Sequence, residues 1–161
     1  MKKLLYLLIC LPLIFSSCKK EDNSPGSILG CIDPLAANYN PTATQDNASC
    51  LYSLVAIWSV DDYILDGTSL FSSSLSLYIT SMASTFYDDN TSWTLAYYSD
   101  GSELNVYGTW SVIGTSTLRL VNSSGQQVDW TITKLNYYEL ELYSNDVGGL
   151  GSGTLQCSRY E

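Results

Sequence analysis

Five cysteines, sixteen carboxylates and no histidine define the chemistry open to this 161-residue chain. Without an imidazole, no Ser–His or Cys–His pair can activate a nucleophile. The carboxylate pairs Asp61-Asp62 and Asp88-Asp89 are adjacent in sequence. Adjacent residues on a strand point to opposite faces, whereas a glycosidase needs two carboxylates facing each other across a cleft. These residues read as those of a non-enzyme. Cys157 has no cation near it in sequence and reads as a buried thiol in a strand, not a reactive one.

The other informative cysteines are Cys31 and Cys50, with 18 residues between them. In an oxidising compartment the simplest outcome is a disulfide. Closing that loop is worth about 3 kcal/mol in the chain-entropy model. The enclosed segment has too few apolar residues for a core of its own, so it needs the staple. It also carries Asp33, Asn38, Asn40, Asp46 and Asn47. Hard cations such as Ca²⁺ take six to eight oxygens, so Asp33, Asn38, Asn40 and Asp46 form a candidate metal set. The competing reading, which the low carboxylate count and non-EF-hand spacing favour, is that these side chains cap turns.

The elements that hold these groups begin with the amino terminus. Lys2 and Lys3 precede the apolar run Leu4–Ile14, and the small residues Ser16-Ser17 precede Cys18. This is the layout of a secretory signal over residues 1–17, too short for a membrane-spanning helix. Small residues before a Cys resemble a bacterial lipobox, although Phe15 stands where Leu is commoner. That resemblance implies cleavage before Cys18 and a diacylglycerol anchor with palmitate on it, several chains together giving firm attachment. Lys19-Lys20-Glu21-Asp22 resembles the export tag of Bacteroidetes-type surface lipoproteins. It implies an outer-membrane lipoprotein exposed at the cell surface, with a periplasm-facing orientation as the alternative. Residues 18–29, with Asn23-Ser24-Pro25-Gly26-Ser27, have the composition of a flexible tether.

Residues 30–51 then resemble a Cys-bracketed Asp/Asn-rich motif of surface proteins from the same bacterial group. Gly30, Cys31, Asp33, Pro34, Ala36, Asn38, Tyr39, Asn40, Pro41, Ala43, Asp46 and Cys50 carry the likeness. Asn47-Ala48 stands where the motif often has Asp-Gly.

The formal net charge is −9, and loss of Lys2 and Lys3 with the leader makes the mature chain more acidic still. Such a chain repels phosphates, which argues against nucleic acid and against electrostatic docking on anionic lipid. Its membrane partner is reached through the acyl chains instead. Charged residues are only 14%. Abundant Ser, Thr, Tyr and Asn suit strands with polar outer faces.

From residue 52 to 161 the pattern is period two, punctuated by Asp66-Gly67, Asp100-Gly101, Gly114-Thr115 and Ser124-Gly125. Trp58, Val60 and Ile64 share one face, with Asp61 and Tyr63 on the other. Leu104, Val106, Gly108, Trp110 and Val112 form the clearest strand face, and Gly108 permits a bend or a close backbone approach. Residues 69–87 fit a strand and a helix nearly equally. The count is about eight short antiparallel strands in meander order, as in an up-and-down barrel whose closure removes exposed edges.

Trp58-Ser59-Val60, Ser99-Asp100-Gly101, Gly108-Thr109-Trp110-Ser111-Val112 and Trp130-Thr131-Ile132-Thr133-Lys134-Leu135 resemble the lipocalin-like domain of Bacteroidetes-type lipoproteins. Ala56-Ile57 replaces the usual Gly-Thr before the first Trp. The resemblance implies an all-β barrel just wide enough to be filled by side chains or to hold one small ligand. Trp58, Trp93, Trp110 and Trp130 are the candidate liners; as inward Trp they also serve as plain core. Two functions follow. One is a surface-anchored cup for a small apolar or glycan-like ligand, with no cofactor. The other is an interaction protein of the envelope whose barrel is solid.

Overall fold

The computed structural model describes residues 26–161. The signal-peptide reading of 1–17, Cys18 and most of the tether lie outside the described residues. The stapled module comes first. Two short parallel strands, β1 (Leu29–Gly30) and β2 (Gln45–Asp46), are its only regular structure. Cys31 and Cys50 form the disulfide, with Cys31 only 1% exposed.

The body is a closed antiparallel barrel. Its eight wall strands are β3 (Ala56–Leu65), β5 (Ile79–Phe86), β6 (Thr91–Tyr98), β7 (Glu103–Ile113), β8 (Thr117–Asn122), β9 (Gln127–Leu135), β10 (Glu139–Ser144) and β11 (Gly153–Arg159). Each pairs with the next, and β11 returns to β3, Arg159 opposite Trp58. The two-residue β4 (Thr68–Ser69) pairs with the far end of β3. The all-β, up-and-down architecture expected from the alternating pattern is therefore the one observed.

The ambiguous 69–87 region is no helix. It runs from β4 through turns into β5, and Ile79 N–H donates to the carbonyl of Leu70. Leu75 and Leu77 belong to that loop, not to a strand.

Alternation places Trp58, Val60, Phe86, Leu118, Trp130, Leu140, Leu142, Leu155 and Cys157 in one core. Burying each large side chain contributes about 1.5–3 kcal/mol. Gly108 meets the β8 backbone so closely that a Cβ there would collide with the carbonyl oxygen of Val121. The Asp66-Gly67 turn places both residues at positive φ, as a type I′ turn requires.

One correction concerns β3. Its register with β11 shifts between Gln156 and Cys157, so Val60 faces Cys157 while Asp62 faces Gln156. Asp61 is the extra residue of a β-bulge. Beyond it the alternation is inverted: Tyr63 joins Leu155 inside, and Ile64 turns away. Asp61 and Asp62 consequently do not alternate across the wall. Asp61 accepts from the Ser158 hydroxyl, and Asp62 from that of Ser69. Asp88 and Asp89 lie in the β5–β6 turn, outside any strand.

Candidate functional site

The two barrel ends differ. At one end lie the entry to β3, the turns at 87–90, 114–116 and 136–138, and the end of β11. This end is plugged. The Trp58 indole N–H donates to the Leu54 carbonyl at 2.9 Å, and the ring is fully buried. Trp110 donates to the Tyr87 carbonyl and meets Phe86 edge-on at 5.7 Å. Arg159 covers the plug, its guanidinium 4.9 Å from the Trp58 ring and 4.6 Å from that of Tyr137. The same group donates to the carbonyls of Tyr137 and Ser53. An unpaired indole N–H would be costly here, and both are satisfied by backbone carbonyls.

Toward the opposite end the barrel holds a cavity of about 230 Å³. Tyr63, Met82, Leu120, Val128, Trp130 and Leu155 supply its apolar surface. Ser84, Ser92 and Thr94 add small hydroxyls, Ser84 bonded to Thr94 at 2.9 Å. Asn122 at the end of β8, Gln126 in the turn that follows and Val147 in the β10–β11 loop sit at the mouth. No charged side chain lines it. Tyr63 stands edge-on to Trp130, centroids 6.4 Å apart, and burial raises its phenol pKa.

The four tryptophans thus part company. Trp130 lines the cavity. Trp58 and Trp110 build the plug at the other end. Trp93 stands on the outer face, parallel to Tyr107 within 4°, its indole N–H donating to Asn105. The reason is that β6 turns Ser92, Thr94 and Ala96 inward and Trp93, Leu95 and Tyr97 outward, against the usual polarity. Tyr63, Met82, Val106 and Leu120 line the cavity without having been picked out as ligand contacts by sequence. For Val106 and Leu120 the inward strand faces were a usable signal; for Tyr63, behind a bulge, there was none.

In the stapled module the candidate metal oxygens are occupied by protein. Asp33 accepts from Leu35 N–H and from the Tyr52 hydroxyl, and this hydroxyl holds its carboxyl below the ordinary value. Asn38 bridges Ser49 and Leu51. Asn40 takes both the N–H and hydroxyl of Thr42, and Asp46 takes Ala48 N–H. These are turn-capping arrangements. Among the described residues no group of three or more Cys, Asp or Glu could hold a metal ion. The Cys157 thiol is buried and its pKa is pushed up to about 12 by burial and then by Asp61.

No protein-family model matches the chain, and no curated protein matches it. The solved structures that are similar in shape include two from Bacteroides. A lipocalin-like protein from Bacteroides uniformis aligns at 16% identity with a TM-score of 0.48, over 66% of this chain and 98% of that one. An uncharacterized protein from Bacteroides eggerthii aligns at 12% identity with a TM-score of 0.47, over 67% of this chain and all of the other.

Proposed function

We propose that this chain is an acyl-anchored envelope lipoprotein whose barrel is a cup for one small, neutral, apolar ligand. The uncharged cavity between Tyr63, Met82 and Trp130 carries the reading. An apolar cavity of this order accepts a single aromatic ring, whereas drug-sized ligands need about 300–1,000 Å³. The scarcity of polar groups in its wall favours an apolar ligand over a glycan, which would leave hydroxyls unpaired. With no carboxylate or cation in the wall, the cup is read as binding its ligand without transforming it.

Anchoring rests on Cys18 and the residues around it, and surface exposure rests on Lys19-Lys20-Glu21-Asp22. The chain enters the barrel at the plugged end, so the tether and the stapled module lead to that end and not to the mouth. Mass spectrometry of the mature amino terminus tests acylation, and protease treatment of intact cells tests orientation. Indole or a similar single-ring probe tests the cup. Saturable one-to-one binding that shifts the Trp130 signal and is lost in Val106→Phe supports it; binding unaffected by that variant overturns it.

The interaction-protein reading draws on the aromatic groups standing outside the wall, Trp93 and Tyr107 foremost. Failure of every apolar probe to bind, with a stable barrel, leaves that reading in place of the cup.

A further inference from the structure

The outer wall of β6 and β7 carries a second concavity, which shares Ser92 and Gly108 with the barrel cavity. It is a groove of about 440 Å³ lined by Tyr87, Thr91, Ser92, Trp93, Tyr107 and Gly108. Gly108 and its partner Ser92 leave the floor low, while Trp93 and Tyr107, directly opposed across the two strands, stand parallel beside it. Tyr107 is 58% exposed and Tyr87 42%, so the aromatic surface faces solvent.

Part of its hydrogen-bonding capacity is already used within the protein. The Trp93 indole N–H goes to Asn105, whose amide goes to Glu103. The Thr91 hydroxyl and N–H both go to Asp89. The groove presents π-surface, with Asp89 fixed to the lining residue Thr91, Asp88 next to Tyr87 in sequence, and Glu103 linked through Asn105 to the Trp93 indole. Those bonds from Thr91 hold the Asp89 carboxyl below its ordinary pKa, so it is ionised at neutral pH. The cations of the described residues are engaged elsewhere, Arg119 with Asp129, Lys134 with Glu139 and Arg159 at the plug. The chain as a whole is at −9.

We propose that this groove binds a quaternary ammonium group, seated against the faces of Trp93, Tyr107 and Tyr87 and balanced by Asp89 and Glu103. A trimethylammonium group needs no hydrogen bonds, and its charge is attracted both to aromatic faces and to the acidic margin. The group can belong to a free solute or to a choline lipid headgroup.

The test uses the mature chain and choline chloride, followed by the Trp93 indole N–H resonance, which Trp93→Phe identifies. Saturable shifts with choline, and none with its neutral carbon isostere 3,3-dimethyl-1-butanol, are expected. Tyr107→Leu should weaken binding about two- to fivefold, the range for loss of one exposed cation–π contact. The double variant Asp89→Asn, Glu103→Gln keeps every hydrogen-bond acceptor and should weaken it too, with the effect vanishing in high salt. Co-sedimentation with phosphatidylcholine but not phosphatidylglycerol vesicles identifies a headgroup source; binding to free choline alone identifies a solute. Equal shifts with the isostere, unchanged affinity in Tyr107→Leu, or preference for a gluco-oligosaccharide over choline overturns the proposal. Indole binding in the barrel is read at Trp130, so the two sites succeed or fail separately.

Discussion

The guanidinium of Arg159 lies 4.9 Å from the ring of Trp58, binding the last wall strand to the first at the plugged end. The contact joins a cation, a buried indole and two backbone carbonyls in one place. Replacing Arg159 with Met should cost about 1–2 kcal/mol, since it removes a half-buried cation–π contact and leaves two carbonyls short of a donor. Lys should rescue poorly, because one ammonium cannot reproduce the planar fork. Urea unfolding of the two variants, followed by tryptophan fluorescence, measures both effects.

Gly108 is fixed by its neighbour. Any side chain there meets the Val121 carbonyl, so Gly108→Ala should force β7 and β8 apart. A loss of about 2 kcal/mol or more is expected, within the range for overpacking. Thr109→Ala, on the exposed side of the same strand, should change the urea midpoint little.

Alkali should loosen the barrel. The folded state holds Cys157 with a pKa of about 12 against an ordinary thiol value of 9.0. Tyr63 is raised in the same direction by burial. Protonated forms are therefore favoured by folding. The Cys157 contribution is complete below pH 9 and declines as pH rises toward 12, by about 1.4 kcal/mol per pH unit. Thermal midpoints measured from pH 8 to 11 should fall, and Cys157→Ala should flatten the fall. The same burial should leave the native thiol unreactive toward iodoacetamide at pH 8.

The staple is local. Reducing Cys31–Cys50, or replacing both with Ser, should cost the module about 3 kcal/mol. Proteolysis should then cut within residues 32–49, while far-UV circular dichroism of the barrel persists.

Much of this architecture is written in short-range signals. The Asp-Gly and Ser-Gly pairs mark hairpin turns because they accept positive φ, and Gly67, Gly101 and Gly125 do adopt it. Gly108 within an otherwise bulky face announced a backbone contact. The cysteine pair was readable from spacing and compartment. The faces were harder. A bulge at Asp61 inverts the alternation of β3 without any local mark, which hid Tyr63 from the interior. β6 reverses the usual polarity because a cavity wall tolerates Ser92 and Thr94, whereas Trp93 finds Tyr107 as a partner outside. Four tryptophans look alike in sequence; only the register assigns one to the cavity, two to the plug and one to the exterior.

The seam between β3 and β11 joins positions about a hundred residues apart. A chain emerging from a ribosome or through a membrane pore can form each hairpin as it appears, yet the ring stays open until residues 153–159 are free. Until then β3 lacks its partner on one side, and Trp58 lacks the arginine that shields it. Completion is thus a single late event, and a chain cut short before Gly153 would present two raw strand edges to its neighbours.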